Sequence, residues 1–362
     1  MSKRARRGAM ASVTALGAVG LALAAAPAPA APAVGRAAPA PVKVISGGLD
    51  DPYGIQVRGD YGYVAENVSG EVTRVSYDGR QKRLFGDVAG VSGVGVGNRY
   101  VYAVLGGGDE TGQAPPAAFD PTTVLRYDPR TGKVREIANL LDYELKRNPD
   151  GQVQFDADHQ PYDTLSNPFA MHRSRYGLFV ADGGGNDVLR VDPHSGKVHT
   201  FFVPPTITSV PECREAGAQA NPGTVGCDSV PTGLDTARGS VYVSTLGSER
   251  PGAGRVYQVN PRSGKVQHTW RGLTAPTGVA VAPNGTVYVS SVLAGAGPGD
   301  PTTFGRITRI APDGKRTEAQ VTMPIGLEYT RGRLFASSYS VGSFFGLEHA
   351  GRVVEVRPSA FR

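Results

Sequence analysis

The chain is poor in the residues that usually announce chemistry: two Cys, one Trp, four Met and six His among 362 residues. Two thiols alone cannot build a structural zinc site, which takes four ligands. Charged residues make up only 19% of the sequence, and no arginine-rich stretch is interleaved with aromatics, so nucleic-acid binding is excluded as a reading. Beyond the first thirty residues no apolar run is long enough for a transmembrane helix. There is no Gly-x-Ser-x-Gly elbow, no His-Glu-x-x-His helix and no phosphate loop. The glycine runs at 106–108 and 183–185 follow strand-like segments and open no helix, so they read as loops rather than phosphate cradles.

What the chain does have is glycine (49), proline (28) and a repeat. Its clearest copy reads Pro276-Thr277-Gly278-Val279, then Val287-Tyr288-Val289-Ser290, then Arg306-Ile307-Thr308-Arg309-Ile310, with a turn at Asp313-Gly314-Lys315. Further copies start at Pro52, Ser92 (where the proline is lost), Pro168, Pro231 and Pro324. A period of about 40–50 residues carrying about four short strands is the signature of a β-propeller. The expected fold is therefore all-β, a six-bladed propeller with four-stranded blades. The sixth copy lacks a fourth strand after Val356, and Val42-Lys43-Val44-Ile45 has no partner of its own. Open sheet edges are a liability, so this N-terminal strand is expected to complete the last blade and close the ring.

Residues 1–30 read as a secretory signal peptide, with a basic start, an apolar run and Ala28-Pro29-Ala30 as a small-residue cleavage pattern. Residues 31–41 read as an Ala/Pro-rich spacer, and 42–362 as one propeller domain. The formal charge of +6 owes four positive side chains, Lys3, Arg4, Arg6 and Arg7, to the leader, so basicity is mostly a targeting feature. Cys213 and Cys227 fall in one irregular segment of an exported chain and are expected to be bonded to each other.

The long insertions, 106–122, 138–167, 204–230, 245–251, 292–304 and 338–350, should all emerge on one face of the ring. A rigid scaffold with one elaborated face is the arrangement of a binding surface. The segment 139–145 has helical spacing with Asn139 as its N-cap. Asp156, Asp158, His159 and Asp163 follow it. At the mouth of the ring the candidate ligand-binding residues are Glu66, Asn67, Asn167, His172, Asp182 and Asn186. Glu66 and Asp182 are the candidate calcium ligands, because calcium takes six to eight oxygens in flexible geometry. Hydrogen bonding within a Gly-rich loop accounts for Asp182 and Asn186 equally well. No catalytic residue is singled out, although His159, His172 and His349 could each serve as a base near neutral pH.

These residues carry a resemblance. The Asp182-to-Val191 stretch resembles the NHL-type six-bladed propellers. The whole of 42–356 resembles the ScyD/ScyE family of exported propellers, named from scytonemin biosynthesis clusters. That likeness rests on residues 48–54, on Leu-Leu-Asp-Tyr-Glu-Leu-Lys-Arg-Asn-Pro-Asp-Gly at 140–151, on 166–169 and on 181–187. It implies the fold and export, and no defined activity. Calcium-dependent sugar lactonases are more distant on the same fold; they typically begin with Pro-Glu-Gly, where this chain has Pro52-Tyr53-Gly54, Pro231-Thr232-Gly233, Pro276-Thr277-Gly278 and Pro324-Ile325-Gly326. The expected function is a secreted, monomeric, non-catalytic scaffold for an extracellular small molecule, glycan or protein. The alternative is a calcium-assisted hydrolase or lyase.

Overall fold

A computed structural model describes residues 40–88, 90–107, 118–152, 154–155, 161–162, 166–214, 225–297 and 299–362. The leader, nearly all of the spacer, and Asp156, Asp158, His159 and Asp163 lie outside the described residues.

Six four-stranded antiparallel sheets form the blades of a propeller. Blade 1 comprises Pro52–Arg58, Tyr61–Glu66, Glu71–Ser76 and Gln81–Phe85, and blade 2 comprises Val91–Val96, Val101–Leu105, Thr123–Asp128 and Lys133–Asn139. Blade 3 is built from Pro168–Ser174, Gly177–Asp182, Asp187–Val191 and Val198–Phe202. Blade 4 holds Pro231–Ala237, Ser240–Thr245, Gly254–Val259 and Val266–Leu273, and blade 5 holds Gly278–Val281, Val287–Ser291, Arg306–Ile310 and Arg316–Gln320. Blade 6 is Leu327–Thr330, Arg333–Ser338 and Gly351–Val356, completed by Val42–Leu49. The first strand of each blade packs against those of its two neighbours, closing the ring around a central channel.

The sequence pattern follows depth in the blade. Second strands such as Gly177–Asp182 are buried along their whole length, whereas outer strands such as Gln81–Phe85 are mostly exposed and rich in charge. Buried strands read as continuous apolar runs because both faces meet a neighbouring blade.

The glycine of the Pro-x-Gly phrase answers to blade spacing. A Cβ on Gly278 would lie 2.1 Å from the Ile325 carbonyl oxygen, and one on Gly326 would lie 2.3 Å from that of Tyr53. Around Gly93, Gly233 and Gly54 the next blade's backbone would lie 2.4, 2.6 and 2.9 Å from such a Cβ. Only a residue without a side chain permits this approach.

The N-terminal strand pairs antiparallel with Gly351–Val356, Val42 opposite Val356 and Leu49 opposite Gly351. It runs four residues further than the sequence suggests. A second clasp was not legible in the sequence: Arg362 exchanges both backbone hydrogen bonds with Glu318 on the outer strand of blade 5. There Phe361 packs 5.6 Å from Tyr288.

Cys213 and Cys227 are bonded to each other and fully buried, pinning the blade 3–4 connection beside Ile207 and Ala253. The helix spans Leu140–Arg147; Asn139 caps it by accepting from the Asp142 N–H at 3.0 Å, and Asn148 ends it in the left-handed region. Among the described residues no helix is long and apolar enough to cross a membrane.

Candidate functional site

A cavity of about 710 Å³ opens at the face that carries the insertions. Its floor is the middle residue of the Pro-x-Gly phrases of four blades, Tyr53, Thr232, Thr277 and Ile325, with Phe169 of Pro168-Phe169-Ala170 at the same position in blade 3. These residues lie at, or within two positions before, the start of the inner strands, so they converge where the strands enter the channel. Walls come from the insertions, with Leu141 of the helix, Val230, Leu246, Val292 and Val341 as apolar contributors. The Tyr53 and Phe169 rings lie 5.6 Å apart. Burial, and then the charge of Asp51, push the Tyr53 hydroxyl up to about 12, so it stays a neutral donor.

Most hydroxyls around the floor are already committed. Thr232 donates to the Pro276 carbonyl at 2.7 Å, Thr277 to that of Pro324 at 3.2 Å, and Ser92 to that of Pro168 at 2.7 Å. Each bond ties one blade to the next. The floor positions are not among the candidates the sequence suggests, because there the middle residue is compared only with the glutamate of the lactonase phrase; the signal was the variable middle residue itself.

The residues expected at the mouth divide into three places. Asn167 and Asp182 stand together. Asp182 is fully buried, with Oδ1 accepting from the N–H groups of Asn167 (2.7 Å), Gly184 and Gly185 (both 3.1 Å) and Oδ2 from the Ser166 hydroxyl at 2.5 Å. Asn167 lines the cavity and accepts from the Gly107 N–H at 2.8 Å. Asn186, in the left-handed region, donates to Asp150 and accepts from the Val230 N–H, both at 3.3 Å.

Glu66 and Asn67 belong to the seam between blades 1 and 6. Glu66 is buried and accepts from the Asp50 N–H at 2.8 Å and from Thr73, while the Asn67 N–H donates to the Asp51 carbonyl. Burial raises the Glu66 carboxyl above its ordinary value. The lone pairs of Asp182 are taken by four donors, and Glu66 is held by a different set, so the pair does not fit a shared calcium ion. Among the described residues no group of three or more His, Cys, Asp or Glu is arranged to hold a metal.

His172 lies deeper, and the expectation of a mouth position is corrected by its register: it is the fifth residue of an inner strand that descends from the mouth. It is buried, with Nε2 2.9 Å from the Thr236 hydroxyl and 3.3 Å from Gln56 Nε2. Burial first, then the Arg173 charge, push it down to about 4, so the imidazole is neutral. Gln56, Asp235 and Glu328 occupy the same register on their strands. Gln56 Oε1 accepts from the Val96 N–H and Asp235 Oδ2 from the Val281 N–H, both at 2.7 Å; Glu328 accepts from the Val57 N–H. This layer satisfies the free edges of the inner strands. Burial holds Asp235 up at about 6 and Glu328 well above the carboxylate range, where Asp235 adds to it.

One further cluster sits behind the cavity wall. Glu144 of the helix and Asp187 of blade 3 are both buried; neither Asp187 oxygen, nor Glu144 Oε1, has an N–H or hydroxyl partner. Gly185 makes the room, since a Cβ there would lie 2.9 Å from the Glu144 carboxyl carbon. Burial and the neighbouring charges of Asp182 and Asp150 push Glu144 up to about 8, and Asp187 is also raised well above its ordinary value. A shared proton between the two is the arrangement that satisfies such a pair.

Sequence comparison matches the chain to no protein-family model and to no curated protein. Solved structures share its fold. A gluconolactonase from Xanthomonas campestris aligns over 87% of this chain and 88% of its own at 12% identity, TM-score 0.52. A luciferin-regenerating enzyme aligns over 89% and 96% at 11% identity, TM-score 0.51. A protein of unknown function from Bacteroides thetaiotaomicron aligns over 86% and 75% at 13% identity, TM-score 0.53. The chain is thus similar to six-bladed propellers that include enzymes, and at these identities the likeness establishes the fold alone.

Proposed function

We propose that the protein is a non-catalytic binding scaffold whose mouth cavity takes a small, mostly apolar, ring-bearing molecule. The observation that carries this is the composition of the cavity: two aromatic rings and a series of aliphatic side chains, with floor hydroxyls bound to backbone carbonyls. Concave, largely apolar sites with a few placed polar groups are the usual form of small-molecule sites. Asn167 supplies an amide N–H pair and Tyr53 a hydroxyl for an acceptor oxygen on the ligand. The titratable groups expected of an acid–base catalyst are spent on structure, His172 and Asp235 in the channel and Asp182 in its loop.

We infer further that the chain is a secreted member of the ScyD/ScyE type. Two segments that carry that resemblance, 140–151 and 181–187, pack on each other through Glu144 against Gly185 and Asp150 with Asn186, which gives their joint presence a structural reason. A leader-like N-terminus and a disulfide support export.

The test is titration with the neutral naphthalene dye Prodan. One saturable site is expected, lost when Val292→Trp fills the cavity while the melting temperature holds. Absence of binding, or binding unchanged by the filled cavity, overturns the reading.

A further inference from the structure

Resting on the cavity reading above, we propose that the ligand is cationic, and that Glu249 selects it. Glu249 is the one charged side chain among the described residues that line the cavity. It forms no ion pair with another described residue and is exposed at the rim. The other groups that face the cavity with hydrogen-bonding capacity to spare, Asn167 and Tyr53, are neutral. A low-polarity cavity whose entrance carries one carboxylate, with no ion-pair partner among the described residues, attracts a protonated amine and repels an anion.

The backbone gives independent support. Ser248 and Glu249 have φ of 50° and 59°, and the Arg250 N–H donates to the Gly247 carbonyl at 3.0 Å. This is a tight turn with both central residues left-handed, a conformation that favours Asn-Gly or Asp-Gly. Two hairpin tips of the same chain follow the preference by placing glycine second: Arg238-Gly239 and Arg331-Gly332. Among the described residues, Ser248-Glu249 is the one place where two consecutive non-glycine residues both take positive φ. The strain is held by the Ser248 hydroxyl, which donates to the Asp228 carbonyl at 3.1 Å, and by the Gly247 N–H on Ser229. Strain of this kind persists where its surroundings fix it, and it is concentrated at ligand sites. Here it carries a carboxylate to the edge of the cavity where glycine would be the relaxed choice.

The experiment uses three aromatic dyes on the full mature chain: cationic 9-aminoacridine, neutral Prodan and anionic 1-anilinonaphthalene-8-sulfonate. In the wild type the cationic dye is expected to bind tightest. Glu249→Gln should weaken it about two- to fivefold, the upper part of the range of an exposed ion pair. Prodan should be unchanged and the anionic dye should tighten. The difference should shrink in high salt. Glu249→Asn, which suits the left-handed turn, should abolish the preference without lowering the melting temperature. If Prodan binds but the cationic dye shows no charge-dependent loss in Glu249→Gln, the cation proposal fails and the cavity reading stands. If none of the three dyes binds, the cavity reading fails and takes the proposal with it.

Discussion

The mouth of the channel and the layer beneath it are lined by the same inner strands, three residues apart, yet they are chemically opposite. At the mouth the residues at the strand entrances are Tyr53, Phe169, Thr232, Thr277 and Ile325, a mostly apolar floor open to solvent. Below, they are Gln56, His172, Asp235 and Glu328, each bonded to the next blade or across the channel. Strongly perturbed titratable groups are often taken as pointers to function. Here they mark the reverse. The shifted groups seal strand edges, and the place fitted for a ligand has almost no charge. Inner strands in a ring expose unpaired N–H groups to the channel, and a buried unpaired group costs about 1–3 kcal/mol, which is what the lower layer offsets.

The sharpest break between the two layers should come from the glycines that separate them. Gly278→Ala forces a methyl group to 2.1 Å from the Ile325 carbonyl oxygen, so blades 5 and 6 must move apart. We expect a loss of about 3 kcal/mol, read by chemical denaturation, and disruption of both layers together. Gly297→Ala, where nothing lies within 4 Å, is the matched control. A tolerated Gly278→Ala would show that the blades are not in register as described.

The acidic pair behind the wall gives the next effect. Glu144 has a folded value raised to about 8, above its unfolded value, so its contribution is complete at low pH and is lost as pH rises through that value. Stability should therefore decline between roughly pH 5 and 9, as the Glu144–Asp187 pair loses its shared proton. Glu144→Gln keeps a donor for Asp187 and should flatten the upper part of that decline. Because Leu141 of the same helix lines the cavity, alkaline pH should also weaken Prodan binding in the wild type and not in the variant. An unchanged pH profile in Glu144→Gln would show that the pair is satisfied in some other way.

Much of this architecture was legible in advance because a repeat states the same physics several times. The blades, the N-terminal clasp, the Asn139 cap and the disulfide all follow from local patterns. The site was legible only as a face. Asp182 and Asn186 were found because polar residues beside glycine are conspicuous, and they proved to be the frame of the wall, whereas Asn167 lines the cavity itself. Tyr53, Phe169 and Ile325 escaped notice because an aromatic or aliphatic residue in a strand looks like core until the ring places it at the channel entrance. The pairing of Glu144 with Asp187 joins residues 43 positions apart in different elements, which no local pattern records. His172 was misplaced by the length of half a strand.

The smallest effects should divide the two layers most cleanly. His172→Ala removes the partner of Thr236 and opens space in the lower channel, with an expected cost of about 2 kcal/mol. It should leave Prodan affinity unchanged, since His172 does not line the cavity. Val341→Ser, on a half-buried loop residue of the wall, should cost less than about 0.5 kcal/mol in stability and weaken the dye about threefold by removing apolar contact. Measured together, the two variants form a double dissociation: one moves stability alone, the other binding alone. If His172→Ala weakened the dye as much as Val341→Ser, the channel and the mouth would be one continuous site, and the neutral imidazole would have to be reckoned among the groups a ligand touches. If Val341→Ser cost as much stability as His172→Ala, the cavity wall would be part of the core, and a mouth able to accept a ligand without loss of fold would no longer describe this protein.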